Sequence, residues 1–106
     1  MYQCMFPGCD YQVKDREKID NHHIVPKELG GSDKHFNRIL LCPVHHRCVY
    51  VPSAKVGLHS FKREGAIIIQ GYMKSTAGKG LIYTNCDDGK EYVYIYSKLE
   101  SVCLYD

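Results

Sequence analysis

The apolar and polar positions of this chain form several short runs of strand length and one run typical of a helix. Residues 19–25 (IDNHHIV) predict a first strand, which ends at Pro26. Residues 36–41 (FNRILL) predict a second extended piece after a Gly-Gly loop. Pro43 fits the first turn of a helix, which we place at residues 43–50. The expected order is strand, loop, strand, helix.

The second half of the chain predicts β structure. Its strand candidates are residues 66–72, 80–84, 91–97 and 102–105, with a loop at 74–79 and a hairpin turn at Asp88-Gly89. Tyr92, Tyr94 and Tyr96 alternate along one strand and predict one face of a sheet, with stacking on nucleic-acid bases as the alternative.

Residues 53–65 connect the two halves. They are mostly polar, and we expect Val56, Leu58 and Phe61 to be apolar anchors in this connection. The length of 106 residues fits one domain. The predicted division is a metal-stapled core at 1–52 and a β-rich extension at 53–106 packed as part of the same domain.

Charge is unevenly distributed along the chain. The net charge is +2, but residues 14–63 contain ten Lys and Arg against five Asp and Glu, whereas residues 64–106 contain four against six. The basic excess indicates a polyanion bound over the first segment, or simply a solvated basic surface. We see no export signal and no apolar run of membrane-spanning length, so we expect a cytoplasmic protein with no membrane contact.

Six cysteines and six histidines are many for this length. Disulfides are one interpretation, but the spacing favours metal ligation in a reducing compartment. Cys4 and Cys9 flank a Pro-Gly turn, and Cys42 precedes His45 by three positions, which makes two ligand pairs for a structural zinc ion. Cys48 lies one helical turn past His45 and is the alternative fourth ligand. The remaining cysteines, at 86 and 103, are expected to be plain strand residues.

The stretch between residues 22 and 46 carries the candidate catalytic chemistry. Phosphodiester hydrolysis requires removal of a proton from water and neutralisation of the charge that develops on the phosphorus oxygens. A neutral histidine can serve the first need and a metal ion the second. Alternation along a strand places His22 and His23 on opposite faces, so we expect different roles for them. The alternative is that some of these histidines are surface or core residues of a zinc-stapled fold.

The segments NHHIVP, GGSD, FNRILLC and PVHH together resemble the HNH endonuclease motif. The resemblance implies an α+β fold with a ββα-metal core, here stapled by the structural zinc ion at Cys4 and Cys9 and followed by a small antiparallel β region. It implies double-stranded DNA as substrate and one divalent cation, Mg²⁺, Mn²⁺ or Ni²⁺. By position, His22 and His46 correspond to the ligands of the catalytic ion, His23 to the general base, and Asn37 to the residue that orients that base and ties the loop. The family usually has cysteine where this chain has His45.

Several further expectations accompany the endonuclease hypothesis. The basic side chains that flank the motif are candidates for DNA binding: Lys27, Lys34, Arg38 and Arg47. His35 and His59 lie outside the motif and are expected to be surface histidines. A homodimer or a partner protein would help such a short chain to choose a target. The resemblance suggests a phage or mobile element acting in bacterial cytoplasm. The alternative function is a non-catalytic zinc module that binds DNA or protein.

Overall fold

The computed structural model describes residues 1–25, 30–31, 34, 37–76 and 78–104. Within this part of the chain no helix is long and apolar enough to cross a membrane. There are eight strands among these residues: β1 (Tyr2–Gln3), β2 (Gln12–Val13), β3 (Asp20–His23), β4 (Arg38–Leu41), β5 (Ile67–Ser75), β6 (Gly78–Asn85), β7 (Glu91–Ile95) and β8 (Glu100–Cys103). One helix, α1 (Pro43–His46), and two 3-10 turns, Arg16–Lys18 and Leu58–Ser60, complete the described elements.

The strands form three antiparallel sheets. β1 pairs with β2, β3 pairs with β4, and β5 to β8 form a four-stranded meander in chain order. In the second sheet His22 pairs with Ile39, and His23 pairs with Arg38. The meander is rich in β-branched and aromatic residues, which favour extended backbone. Its predicted strands are present, although part of the stretch expected as a loop pairs across the β5–β6 hairpin, Lys74 with Lys79 and Ser75 with Gly78.

The predicted ββα-metal core followed by a β region is wrong as a description of this fold. The described residues are mainly antiparallel β structure, and α1 has four residues instead of the eight expected at 43–50. The chain leaves the helix because Val49 forms a parallel bridge with Ile67, and the Tyr50 N–H donates to the Ile67 carbonyl oxygen at 2.8 Å. Tertiary pairing with β5 therefore replaces the second helical turn.

Buried side chains from both halves of the chain make one cluster. Leu41 and Val49 are fully buried from the first half, and Leu81 and Tyr94 are buried from the second. Tyr96 follows β7, and its hydroxyl donates to the Met5 carbonyl oxygen at 2.8 Å. The prediction that the tyrosines line one sheet face is confirmed for the face that packs on this cluster.

The connection between the halves differs from the expectation. Val56 is 87% exposed and Phe61 is 63% exposed, so the prediction that they are apolar anchors is wrong. Backbone hydrogen bonds hold this segment instead. The Val51 N–H donates to the His59 carbonyl oxygen at 3.0 Å, and the Ala66 N–H donates to that of Arg63 at 3.0 Å. These bonds fix the backbone of the connection, although Val56 and Phe61 stay exposed.

Candidate metal centres

Two groups of side chains in the described part of the chain can hold a metal ion. The first group, called the thiol centre here, is Cys4, Cys9, Cys42 and His45. Their ligand atoms all lie within 4.8 Å of one another. The structure thus brings together all four residues that the sequence proposed as structural zinc ligands.

The turn between Cys4 and Cys9 positions two thiols. Gly8 has φ of +82°, a conformation that glycine adopts without the strain of a Cβ. The Cys9 N–H donates to the Phe6 carbonyl oxygen at 3.0 Å and closes the turn. The Met5 N–H donates to the Leu40 carbonyl oxygen at 2.8 Å, which ties the turn to β4 and brings it next to Cys42.

The short helix supplies the other two donors. Cys42 is its N-cap, and its sulfur accepts a hydrogen bond from the His45 N–H at 3.4 Å. The His45 Nδ1 atom lies 3.4 Å from the same sulfur, and the ring stacks on Phe6 with centroids 4.3 Å apart. Cys48 is not a member of this group, and its thiol faces the Val44 carbonyl oxygen. His45 is therefore the fourth donor in this geometry.

The thiol centre fits a cation on chemical grounds. Burial raises the pKa of the Cys4 thiol to about 12, so an ionised Cys4 is unfavourable in the metal-free site. A bound cation reverses this preference, because metal ligands must be deprotonated and the ion compensates the thiolate charge. Three sulfurs and one imidazole nitrogen match the closed four-donor shell of structural zinc sites.

The second group, called the histidine centre here, is His22, His46 and His59. Their ligand atoms also lie within 4.8 Å of one another. His22 comes from β3 and is only 4% exposed, His46 ends α1, and His59 lies in the 3-10 turn of the connection. The structure thus places the two histidines that the motif proposed as ligands of one ion side by side, with ring centroids 5.5 Å apart.

Sequence reasoning missed His59, which was expected to be a surface histidine. No spacing signal marks it, because it follows the motif by thirteen positions in a mostly polar connection. Its ring centroid lies 4.8 Å from that of His22 and 4.7 Å from that of His46. Only the folding of the connection back onto residues 49–51 brings this ring into the centre.

Hydrogen bonds fix the tautomers of two rings. The His46 Nδ1 atom lies 3.0 Å from an Asp20 carboxylate oxygen, and the His59 Nδ1 atom lies 2.9 Å from the Val49 carbonyl oxygen. Both partners are acceptors, so both Nδ1 atoms carry the proton and both Nε2 atoms of the neutral rings are bare. Such second partners are typical of metal-ligating histidines.

The bare Nε2 atoms of His46 and His59 face each other at 3.1 Å. Neither can donate to the other in the neutral rings, so two lone pairs are opposed unless a metal ion lies beside both or a proton lies between them. Two nitrogens on one tetrahedral zinc ion, with Zn–N of about 2.0–2.1 Å, lie about 3.3 Å apart. The observed separation is close to that value, so these residues fit a metal ion.

Burial and the neighbouring imidazoles favour the neutral forms of His22 and His59. The pKa of His22 is lowered to about 3, chiefly by burial and then by the neighbouring His59 and His46. Burial also lowers the pKa of His59. Neutral imidazole is the form that ligates metals, so these two rings can bind a cation at neutral pH.

A pH dependence of stability follows from the lowered pKa of His22. Below pH 6.5 the unfolded chain binds a proton at this position that the folded chain does not bind until about pH 3. The free energy of unfolding should therefore fall as pH decreases through that window, by at most about 1.4 kcal/mol per pH unit from this group. A bound cation would act in the same direction, because it binds the neutral ring.

Urea unfolding at a series of pH values checks this expectation. The midpoint should decrease steadily below pH 6.5, and a His22→Asn variant, with no imidazole there to protonate, should show a shallower decrease. Equal slopes for the two proteins would contradict the assignment of the effect to His22.

The two residues proposed for catalysis lie at the end of the β3–β4 ladder. His23 ends β3, is half-buried, and lowers the pKa of His22 by charge repulsion. Asn37 is buried, and its amide accepts from the Val25 N–H at 2.8 Å and donates to the Val25 carbonyl oxygen at 3.0 Å. Asn37 therefore ties the backbone leaving β3 to the start of β4. Its orienting role toward His23 stays a prediction.

The flanking basic residues are distributed around this region. Lys34, Arg38 and Arg47 are exposed, whereas Lys27 lies outside the described residues. Arg38 pairs with His23 across the β3–β4 ladder, and Arg47 directly follows His46. Their contact with DNA stays a prediction.

The short helix connects the two centres. Cys42 and His45 belong to the thiol centre, whereas the adjacent His46 belongs to the histidine centre. A disturbance of one centre should therefore reach the other through a single turn of backbone.

Comparison of the chain with protein-family models, with curated proteins and with solved structures finds no match.

Proposed function

We propose that this chain is a metal-dependent endonuclease that hydrolyses DNA phosphodiester bonds, as its resemblance to the HNH motif suggests. The observation that supports this most is the convergence of His22, His46 and His59, with the Nε2 atoms of His46 and His59 3.1 Å apart. A protein that used zinc only to hold its fold together would have no need for this second set of donors.

The number of donors separates the roles of the two centres. The thiol centre offers four donors, as structural zinc sites do, so we assign a structural Zn²⁺ to it. The histidine centre offers three, which is the number typical of catalytic sites. Imidazole donors suit Zn²⁺, Ni²⁺ and other transition metals better than Mg²⁺, which prefers oxygen.

The proposed reaction assigns a task to each residue. A divalent cation bound at the histidine centre would neutralise the charge that develops on the phosphate oxygens. The neutral form of His23 takes the proton of the attacking water. This residue lies on the other face of β3 from the buried His22. Asp20 and the Val49 carbonyl hold the rings of His46 and His59 in the ligating orientation. Asn37 holds the backbone next to His23.

Plasmid cleavage tests the proposal. Purified protein supplied in turn with Mn²⁺, Ni²⁺, Zn²⁺ or Mg²⁺ should convert supercoiled plasmid to nicked or linear product. His23→Ala should lower the rate by about 10²–10⁴-fold, the usual contribution of a general base, while the metal content stays unchanged. Lys98→Gln, a change on the exposed turn between β7 and β8, is the matched control and should cleave like the original protein.

Two outcomes would count against the proposal. Equal cleavage by His23→Ala would remove that residue as the base. A folded protein that holds ions at both centres and yet cleaves nothing with any cation would instead be a zinc-binding interaction module.

A further inference from the structure

The segment 53–63 (SAKVGLHSFKR), which is the larger part of the connection, combines features that the proposed reaction does not use. It contains Lys55, Lys62 and Arg63, and the acidic residue nearest to it in sequence is Glu64, which directly follows Arg63. All three cations are exposed. The same segment exposes the large ring of Phe61, which is 63% accessible. A basic surface with an exposed aromatic ring is the combination that binds single-stranded nucleic acid.

This segment is attached to the histidine centre through His59. The backbone of His59 accepts a hydrogen bond from the Val51 N–H at 3.0 Å, and its ring bonds the Val49 carbonyl oxygen at 2.9 Å. Phe61 follows two positions later, so its Cα atom lies within about 7 Å of that of His59. A strand bound to the segment would therefore pass beside the candidate metal site.

We infer that residues 53–63 are the DNA-contacting segment of the histidine centre, with Lys55, Lys62 and Arg63 on backbone phosphates and Phe61 stacked on an unpaired base. This inference rests on the proposed function for its choice of DNA, but its test measures binding and not cleavage. It names the substrate as DNA that is single-stranded or locally open at the site.

The preference for an unpaired base follows from the geometry of stacking. A ring that projects from a surface needs the face of a base, and a duplex covers those faces by stacking. Insertion of the ring between paired steps requires the duplex to unstack there, which costs free energy. A single strand offers the same interaction without that cost, so Phe61 should contribute more to single-strand binding than to duplex binding.

Fluorescence anisotropy with a labelled oligodeoxynucleotide of about 16 nucleotides tests the inference. Binding is measured without added cation, for the single strand and for the duplex of the same sequence, and a denaturing gel verifies that the probe stays intact. Phe61→Ala should weaken single-strand binding by roughly 5- to 150-fold, the equivalent of a base–aromatic stack of 1–3 kcal/mol, with a smaller effect on the duplex. Phe61→Trp should preserve single-strand binding.

The cations are tested by salt dependence. Replacement of Lys55, Lys62 or Arg63 by Gln should reduce the slope of log affinity against log salt by about 0.7 for each phosphate that the variant no longer neutralises. Two matched controls lie on the four-stranded sheet and its turns: Met73→Ala, which removes an exposed apolar side chain, and Lys98→Gln, which removes an exposed cation. Both should leave single-strand affinity and slope unchanged.

The outcomes separate this inference from the nuclease proposal. Single-strand binding that depends on Phe61 supports the inference whether or not the protein cleaves DNA. Three results would each overturn it, even if plasmid cleavage is observed. The Phe61→Ala variant could bind the single strand as tightly as the original protein, or the control variants could weaken binding as much as Phe61→Ala does. The third result is that the original protein does not bind the oligonucleotide.

Discussion

Removal of the ion from the thiol centre is expected to unfold this chain. Binding free energies of structural zinc are about 10–16 kcal/mol in small domains, whereas the whole stability of a domain is about 5–15 kcal/mol. The thiol centre joins the β1–β2 turn to the N-terminus of α1, so loss of the ion separates two parts of the core. A strong chelator should therefore abolish the cooperative melting transition and the β-sheet circular dichroism.

A substitution gives the same test without chelator. Cys42→Ser removes one thiol donor and the N-cap sulfur of α1, and should lower the zinc content and the melting temperature together. Cys86→Ser is the matched control, because Cys86 is half-buried in the turn after β6 and belongs to neither centre. A Cys42→Ser protein that keeps its zinc and its melting temperature would contradict the structural role of this centre.

Loss of His59 is expected to weaken ion binding at the histidine centre strongly. His59→Ala leaves two imidazoles where there were three. Removal even of an outer partner of a ligand costs about 10–100-fold in metal affinity, so removal of a direct donor should cost more than about 100-fold. The rate of DNA cleavage should fall together with the metal affinity, because the proposed reaction depends on the charge that the ion supplies.

Metal competition titration and elemental analysis measure this effect. The chain should retain one ion, at the thiol centre, and lose the second. Ser60→Ala is the neighbouring control, because its hydroxyl donates to the Gly57 carbonyl oxygen at 2.7 Å, away from the centre, and it lies in the same 3-10 turn. If His59→Ala binds two ions with unchanged affinity, His59 is not a ligand and the centre is limited to His22 and His46.

The two experiments constrain each other through the shared helix. Cys42→Ser should disturb both centres, since His46 follows the thiol ligands by one residue, whereas His59→Ala should spare the thiol centre. The opposite pattern would mean that α1 is held mainly by the histidine centre. Zinc content per chain distinguishes the two cases.

Local spacing was enough to predict the thiol centre. Cys4 and Cys9 flank a turn, and Cys42 and His45 lie within one turn of the helix, so each pair is brought together by a few residues of backbone. The strands of the four-stranded sheet were also readable, because apolar, β-branched and aromatic residues cluster in them between clear turn residues. The neighbouring positions of His22 and His46 were suggested by the motif.

Tertiary structure decided the rest. The helix stops at His46 because Val49 pairs with a strand that is distant in sequence, and helix propensity cannot anticipate such a pairing. His59 enters the histidine centre because the connection folds back on residues 49–51. Amino-acid sequence alone determined which donors were present and which were neighbours along the chain. Which of them share an ion depended on long-range backbone pairing, since a donor has to lie within a few ångströms of the others whatever its separation in sequence.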